Sequence, residues 1–310
     1  MKRNENVTAL LTDVQRFCMH DGPGVRTTVF FKGCPLHCRW CHNPETQKGH
    51  PEILFSRAQC VSCGACEAVC GHSAHRMTPE RTFDRSLCVS CGKCASVCPA
   101  GALTLSGKTV TVPDILQAVE KDRPFYGKDG GLTVSGGEPT LQADALLSLL
   151  EAAKEARITT ALETCGSFPE GLVGPLCRVT DLFLYDIKDT DAVRLKENTG
   201  ADMGRILANL HRIDDAGCET VLRCILIPEV NMNKAHIRGL SELYQSLNHC
   251  RYAELLPYHP YGTSKAERLG MTAKHVYRVP EKAEVLAFAE ELRSCGVPVK
   301  CFGTELPAGA

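Results

Sequence analysis

The pattern of apolar and polar positions predicts strands and helices that alternate along most of the chain. Short runs of apolar or β-branched residues predict strands, and they span residues 27–31, 132–135, 159–163, 182–187, 220–227 and 253–256. Apolar residues spaced three and four apart predict helices at residues 143–156, 204–216, 235–247 and 281–294. Repeated strand and helix units predict an α/β fold with a parallel sheet, closed or partly closed into a barrel. Functional residues are expected at the carboxyl ends of its strands.

The segment of residues 51–105 interrupts this alternation. It is dense in cysteine, has short turns and contains no long amphipathic pattern. We therefore predict a partial barrel formed by residues 1–50 and 106–310, with a small module of residues 51–105 inserted into it.

Composition and charge exclude several classes of protein. The chain has 310 residues, of which 44% are hydrophobic and 23% charged, as expected of a folded globular protein. Its net charge is -1, with both signs interspersed, so neither a nucleic acid nor an anionic membrane is favoured as partner. No stretch approaches about 18 uninterrupted apolar residues, and the first residues lack the apolar run of a signal peptide. The predicted location is the cytoplasm.

Cysteine is the residue that departs from this ordinary composition, with nineteen copies. A reducing compartment does not retain structural disulfides, so clustered cysteines there usually indicate metal. Eleven of them fall into three tight groups. The scattered ones are predicted to pack in the core as small hydrophobic residues, and they are Cys18, Cys165, Cys177, Cys218, Cys224, Cys250, Cys295 and Cys301.

The first cysteine group, Cys34, Cys38 and Cys41, directly follows the predicted strand at residues 27–31. Three thiolates on one tight loop can bind three irons of a [4Fe-4S] cluster, which leaves the fourth iron with an open coordination position. An open position is what an iron–sulfur site needs in order to bind a substrate. A zinc site or reactive thiols are the alternative interpretation of this loop taken alone.

The other two groups repeat the spacing of the bacterial ferredoxin run, in which the fourth cysteine binds the other cluster. This spacing predicts two more [4Fe-4S] clusters. The first would be bound by Cys60, Cys63, Cys66 and Cys98, and the second by Cys88, Cys91, Cys94 and Cys70. Four protein ligands leave no open iron, so electron relay or structural support is favoured over catalysis. Zinc ribbons are the alternative.

Two motifs resemble those of the radical S-adenosylmethionine superfamily. One is the C-x3-C-x2-C spacing of the first group, with Trp40 directly before Cys41. The other is Gly136-Gly137-Glu138 after a predicted strand, which resembles the superfamily's GGE motif, a contact of the cosubstrate's methionyl amino group. Glycines let the backbone approach a ligand closely, and a carboxylate suits an ammonium group. The resemblance implies reductive cleavage of S-adenosylmethionine at a [4Fe-4S] cluster.

Further motifs resemble those of the activating enzymes of glycyl radical enzymes. They are Asp21-Gly-Pro-Gly-Val-Arg26, His42-Asn-Pro-Glu45, Asp186-Ile-Lys188, Arg223 in an apolar run, and His259 with Gly262 and Lys265. The resemblance implies a cosubstrate pocket lined by Trp40, Asn43, Gly136, Gly137, Glu138, Asp186, Lys188, Arg223 and His259. Taken singly, each has a plainer interpretation, such as a surface ion pair of Asp186 with Lys188. Their joint placement at successive strand ends favours one site.

The resemblance also implies the reaction and the partners. A flavodoxin or ferredoxin would donate one electron, and cleavage of the cosubstrate would give methionine and a 5'-deoxyadenosyl radical under anaerobic conditions. That radical would abstract a hydrogen from the Cα of a glycine in a partner glycyl radical enzyme. Activators of enzymes acting on choline, glycerol, hydroxyproline, sulfonates and aryl-acetates share these features, so the class of partner is implied and its substrate is not.

Two other functions fit parts of the sequence. A peptide or sulfatase maturase of the same superfamily usually has its extra cysteines after the barrel, whereas here they interrupt it near its start. A non-catalytic electron-transfer protein would suit the ferredoxin-like run but leaves the cosubstrate motifs without a purpose.

One motif departs from the family pattern. Residues 163–166 read Glu-Thr-Cys-Gly, where some members of the family have Asp-Thr-Asn-Gly and hold a monovalent cation with that aspartate. Because Glu163 is longer, a monovalent cation at this position is a hypothesis.

Overall fold

The computed structural model describes residues 7–271 and 276–306 as a mixed α/β fold around one large sheet. The strands are β1 (Thr8–Cys18), β2 (Arg26–Phe31), β3 (Glu52–Phe55), β4 (His75–Arg76), β5 (Thr82–Phe83), β6 (Leu103–Ser106), β7 (Lys108–Thr111), β8 (Gly131–Gly136), β9 (Thr159–Thr164), β10 (Leu182–Asp186), β11 (Thr220–Leu226), β12 (Cys250–Pro257), β13 (Val299–Cys301) and β14 (Thr304–Leu306). The helices are α1 (Ala65–Ala68), α2 (Lys93–Ser96), α3 (Val112–Glu120), α4 (Ala143–Glu155), α5 (Val173–Val179), α6 (Ala192–Thr199), α7 (Met203–Asp215), α8 (Lys234–Gln245), α9 (Tyr261–Arg268) and α10 (Lys282–Ser294).

The large sheet has ten strands in the order β14-β13-β12-β11-β10-β9-β8-β2-β1-β7. All neighbours from β2 to β13 in this order pair in parallel. Antiparallel pairs add β1 and β7 at one side and β14 at the other. Since β7 and β14 are the two edges among the described residues, the sheet is open, and the closed form of the predicted barrel is not formed.

Every predicted strand and helix is present, with ends that differ by at most a few residues. These strands are buried on both faces and therefore read as continuous apolar runs. Strand β1 was not predicted, because it has no continuous apolar run: its first half alternates between buried and less buried positions, and polar residues fill most of its second half. No helix in the described part of the chain is long and apolar enough to cross a membrane.

The main core lies between the sheet and the helices that cover it. In α4, Leu146, Leu149 and Leu150 share one face and are fully buried, and burying a leucine side chain stabilises the fold by about 1.5–3 kcal/mol. The scattered cysteines follow this core as predicted, with Cys165, Cys224 and Cys301 inside it and Cys177, Cys218, Cys250 and Cys295 packed against it. Cys18 lies outside that cluster, at the end of β1.

The segment of residues 51–105 forms structure of its own. Strand β3 pairs with β6, and β4 pairs with β5, in two small antiparallel sheets. A separate apolar cluster contains Ile53, Cys66, Cys94 and Leu103. These features agree with a small inserted module. That this module is an independent domain stays a prediction.

The two halves of this segment repeat each other in backbone conformation. Ser62 and Ser90 have φ of 54° and 53°, and Gly64 and Gly92 have φ of 79° and 78°. Each glycine precedes a short helix, α1 or α2. The sequence repeat is therefore also a structural repeat, and the left-handed conformation explains why glycine stands at both helix starts.

Buried charges join the segment to the large sheet. Lys32, just after β2, has a fully buried side chain whose Nζ lies 3.1 Å from Glu52 Oε2 in β3. Arg85 donates hydrogen bonds to the carbonyl of Ile53 at 2.7 Å and to that of Arg268 at 2.5 Å. The Lys32 contact fixes the segment beside the loop that follows β2, and the bond from Arg85 to Arg268 fixes it beside the end of α9.

Candidate functional site

A cavity of about 670 Å³ lies where the parallel strands end. Its lining contains residues from the loops after β2, β8, β9, β10 and β12. Among them are Cys34, Cys38, Trp40, Cys41, Asn43, Gly136, Gly137, Asp186, Lys188, Arg223 and His259. The structure thus brings together every residue predicted for the first cluster and the cosubstrate, with the exception of Glu138.

The cysteine loop is held by backbone hydrogen bonds to the turn that follows it. The N–H of Gly33 donates to the carbonyl of Thr46 at 2.6 Å, and that of Cys34 to Gln47 at 2.9 Å. Burial raises the pKa of the Cys34 and Cys38 thiols to about 12, so thiolates here need a compensating cation. Iron supplies that charge, and three such sulfurs facing one cavity fit a cluster with one open iron.

The described residues contain no group of three or more His, Cys, Asp or Glu side chains placed around one ion. The three cysteines of a [4Fe-4S] cluster bind three different irons. The sulfurs of a cluster are therefore spread more widely than the ligands of a single ion, and the prediction of a [4Fe-4S] cluster is unchanged.

Gly136 and Gly137 let the end of β8 approach the cysteine loop. A Cβ at Gly136 would lie 2.1 Å from the carbonyl oxygen of Phe31, and one at Gly137 would lie 2.2 Å from that of Gly33. Gly136 also has φ of +128°, which side chains rarely allow. Both positions need glycine to place the cavity wall, whatever ligand it contacts.

Glu138 is a buried connection between β8 and β9 and does not line the cavity. It is 1% exposed. Its carboxylate accepts hydrogen bonds from the Thr164 hydroxyl at 2.9 Å, the Cys165 N–H at 2.8 Å and the Thr140 hydroxyl at 2.7 Å. The contact between this carboxylate and the cosubstrate's ammonium stays a prediction. Its geometry indicates that Glu138 positions the end of β9.

Asp186 and Lys188 form an ion pair at the end of β10, with Nζ 3.0 Å from Oδ2. Burial disfavours the charged ammonium, but Asp186, Cys38 and Cys165 together outweigh burial and raise the pKa of Lys188 above its ordinary value. Lys188 therefore stays cationic and can face an anionic group such as a carboxylate.

Arg223 neutralises two carboxylates, that of Glu254, which is buried, and that of Glu163, which is partly buried. Its Nη1 lies 2.8 Å from Glu163 Oε1, and its Nε lies 3.2 Å from Glu254 Oε2. These are contacts between opposite charges whose N–H directions are not aligned as hydrogen bonds. The second oxygen of Glu163 accepts a hydrogen bond from Ser135 at 2.6 Å.

This pairing bears on the hypothesis of a monovalent cation at Glu163. Burial raises the pKa of Glu163 to about 7, and the positive charge of Arg223 opposes that shift. Since a guanidinium already neutralises this carboxylate and a hydroxyl occupies its other oxygen, the residues present do not fit a cation held by Glu163.

Residues after β12 close over the cysteine loop. A Cβ at Gly262 would lie 2.1 Å from the Cys41 carbonyl oxygen. Lys265 Nζ donates to Asn43 Oδ1 at 2.8 Å and to Glu45 Oε1 at 2.7 Å. Lys265 and Asn43 are 222 residues apart in the sequence. The two motifs that contain them therefore form one wall of the cavity.

Sequence reasoning gave no site role to several residues that line this cavity. His42 packs edge to face against His259, with ring centroids 4.4 Å apart, and Cys165 lies in the lining although it was assigned only to the core. His42 is the first residue of the His42-Asn-Pro-Glu45 motif, so that motif could have indicated its place at the site. Cys165 is also part of the Glu-Thr-Cys-Gly motif of residues 163–166, and that motif is the signal that could have placed it at the site.

The two predicted sets of module cysteines face two separate small cavities. One is lined by Cys60, Cys63, Cys66 and Cys98, and the other by Cys70, Cys88, Cys91 and Cys94. Backbone N–H groups also point at sulfur, from Ser90 to Cys88 Sγ and from Ala74 to Cys70 Sγ, each at 3.4 Å. This grouping is the one that crossed ferredoxin ligation requires.

Comparison with known proteins finds relatives that match most of this chain in sequence. The model of the Radical SAM superfamily matches residues 28–238. The choline trimethylamine-lyase activating enzyme of Oleidesulfovibrio alaskensis is 40% identical over 270 residues, covering 84% of this chain and 87% of that protein. The indoleacetate decarboxylase activating enzyme of Tractidigestivibacter scatoligenes is 35% identical over 315 residues, covering 97% and 99%. A solved domain of a pyruvate-formate lyase-activating enzyme from Bacteroides vulgatus has a TM-score of 0.48 at 25% identity, covering 56% of this chain and 99% of that one.

Proposed function

The chain belongs to the radical SAM superfamily and, within it, to the activating enzymes of glycyl radical enzymes, and on this premise we propose what its own residues do. It binds a [4Fe-4S] cluster through Cys34, Cys38 and Cys41, cleaves S-adenosylmethionine and installs a radical on a glycine of a partner enzyme. One observation carries this proposal: the three cysteines and the cosubstrate residues line a single cavity of about 670 Å³.

The cluster, when bound and reduced, supplies the electron that splits the cosubstrate into methionine and a 5'-deoxyadenosyl radical. The protein binds and orients the substrate. We propose that Lys188 faces the methionyl carboxylate, while Asn43 and Asp186 provide polar contacts for the ribose. The backbone of Gly136 and Gly137 contacts the methionyl group from the position that its close packing against Phe31 and Gly33 gives it, which their lack of a Cβ allows.

Enclosure is the second contribution of the protein. Trp40 is 5% exposed and packs at the centre of an apolar cluster with Ile227 and Tyr258 beside the cysteine loop. His259 and His42 complete this side of the cavity. Such walls exclude water and hold a reactive group against one hydrogen.

We further propose that the module of residues 51–105 binds two [4Fe-4S] clusters, which gives three in all. Their ligands would be the two cysteine sets that face its two cavities. A flavodoxin or ferredoxin would be the electron donor. All nineteen cysteines are free of disulfides, which supports a cytoplasmic location.

The partner is a glycyl radical enzyme whose glycine loop enters the cavity, which requires a transient complex and a change of shape in one or both proteins. The relatives are named as activators of a choline trimethylamine-lyase and an indoleacetate decarboxylase. These names give the class of partner for this chain. The substrate of the partner is a separate question.

The test combines the reconstituted, reduced protein with S-adenosylmethionine and a glycyl radical enzyme under anaerobic conditions. Electron paramagnetic resonance should show a glycyl radical, and a partner labelled with deuterium at the glycine Cα should transfer the label into 5'-deoxyadenosine. Cys38→Ala is the matched control. Label transfer without a glycyl signal would contradict the proposal. So would cleavage of S-adenosylmethionine at the same rate with and without the glycyl radical enzyme.

A further inference from the structure

The two halves of the module share a backbone but differ in the charge that faces their cavities. The cavity of Cys60, Cys63, Cys66 and Cys98 is lined by Arg81. The other cavity is lined by His72, His75 and Lys93. A difference of this kind matters because the nearby charge and the hydrogen bonds to sulfur set the reduction potential of an iron–sulfur cluster.

Arg81 is buried, with 8% of its surface exposed. Its guanidinium carbon lies 4.4 Å from the centre of the Phe55 ring. One nitrogen, Nη1, donates to the carbonyl of Thr82, and Nη2 lies 3.2 Å from His75 Nδ1. Its Nε is inaccessible and has no hydrogen-bond partner in the described residues. A guanidinium remains charged in a protein, so a full positive charge lies at this cavity with a donor to spare.

The charge of Arg81 acts directly on this cavity, because Arg81 is part of its lining. Arg81 is also screened from water, and charges interact more strongly in a medium of low dielectric constant.

Among the described residues, no arginine lines the second cavity. Arg85 lies three residues before Cys88, but it is only partly buried and its guanidinium donates to the carbonyls of Ile53 and Arg268. Lys93, which does line this cavity, is exposed to solvent, so water and salt screen its charge. His75 is buried, and burial lowers its pKa to about 4, so it is uncharged at neutral pH. The lining of the second cavity also contains the apolar side chain of Ile53.

We propose that Arg81 raises the reduction potential of the cluster bound by Cys60, Cys63, Cys66 and Cys98 above that of its neighbour. This inference rests on the proposed function, because it requires both module clusters. Reduction adds one electron, and one negative charge, to a cluster, while the reductant loses that electron. A fixed cation beside the cluster stabilises the reduced form. The first electron to enter the module therefore stays on the cluster beside Arg81.

The experiment uses the full chain with Cys34, Cys38 and Cys41 all replaced by alanine, so that only the module clusters remain. After anaerobic reconstitution and an iron assay, dithionite and redox mediators take the protein through a potential titration followed by electron paramagnetic resonance. Cys60→Ser in the same protein identifies the signal of the cluster beside Arg81. Two one-electron steps are expected, with that cluster reduced first.

Three substitutions separate charge from packing. Arg81→Gln should lower the reduction equilibrium constant of this cluster about tenfold, which is about 59 mV for one electron, and shift the other cluster clearly less, because Arg81 reaches that cavity only through His75. Arg81→Lys keeps the charge and should restore most of the difference. Arg76→Gln removes a charge from an exposed residue of β4, the strand that pairs with β5 directly after Arg81, and should have no effect.

Other results would overturn the inference. They are an unchanged potential in Arg81→Gln, an equal shift of both clusters, an Arg81→Lys variant as low as Arg81→Gln, and iron well below about eight atoms per chain. The proposed function is tested separately by 5'-deoxyadenosine formation in the chain that keeps all its cysteines. Either result can therefore fail without the other.

Discussion

Replacing Glu138 tests whether this carboxylate positions β9 or contacts the cosubstrate. In Glu138→Ala, the N–H of Cys165 and the hydroxyls of Thr164 and Thr140 lose their acceptor. Each unsatisfied buried donor costs about 1–3 kcal/mol, although hydroxyls can rotate to other acceptors. Together with the cavity left by the side chain, the expected loss of unfolding free energy is about 2–5 kcal/mol.

The assay pairs urea unfolding of the protein with calorimetric titration of S-adenosylmethionine. Glu138→Ala should lose stability and affinity together, since the end of β9 moves. Glu138→Gln keeps one oxygen and the shape, so it should lose less of both. Glu170→Ala, in which an exposed ion pair with Arg212 is removed, should change stability by less than about 1 kcal/mol. A Glu138→Ala variant of native stability that no longer binds the cosubstrate would refute this reasoning and restore the direct contact.

Three further outcomes are expected. Affinity for S-adenosylmethionine should differ by less than about twofold, or about 0.4 kcal/mol, between sodium and potassium buffers because Arg223 already neutralises Glu163; a tenfold difference would contradict this pairing. Arg223→Gln leaves Glu163 and Glu254 without their counter-ion and should lower the free energy of unfolding at pH 8 by about 3–5 kcal/mol. Part of this loss should be recovered at pH 5, because Glu163, with a pKa of about 7, is protonated there. Equal losses at the two pH values would contradict this. Gly136→Ala should abolish cluster reconstitution because its Cβ would meet a backbone oxygen at 2.1 Å, whereas Gly171→Ala, with nothing within 4 Å, should reconstitute normally.

The fold was predictable where sequence pattern and burial coincide. Parallel strands such as β10 and β11 are buried along nearly their whole length and give continuous apolar runs that indicate strands without knowledge of the fold. Strand β1 lacks that signature, because its pairing with β2 and β7 is antiparallel and one side faces solvent. Whether the sheet closes depends on the pairing of its edges, which no local pattern encodes.

The candidate site was predictable where one loop carries the chemistry. Cys34, Cys38 and Cys41 lie within eight positions, so their spacing alone indicates a cluster loop. The pairing of Glu163 with Arg223 could not be predicted this way, because it depends on β9 and β11 lying on either side of β10. The partners of Glu138 could not be predicted either. The motif suggests a partner on the ligand, whereas Thr164 and Cys165, at the end of β9, donate hydrogen bonds to this carboxylate.

The most direct test of the central claim is the yield of 5'-deoxyadenosine under anaerobic conditions. The protein with reconstituted clusters receives dithionite and S-adenosylmethionine, and the nucleoside is quantified beside a Cys34→Ala variant treated in the same way. Product from the native protein alone is the predicted result. No product from either protein would contradict radical chemistry and favour an electron-transfer protein, and equal product from both would remove the Cys34 cluster from the reaction.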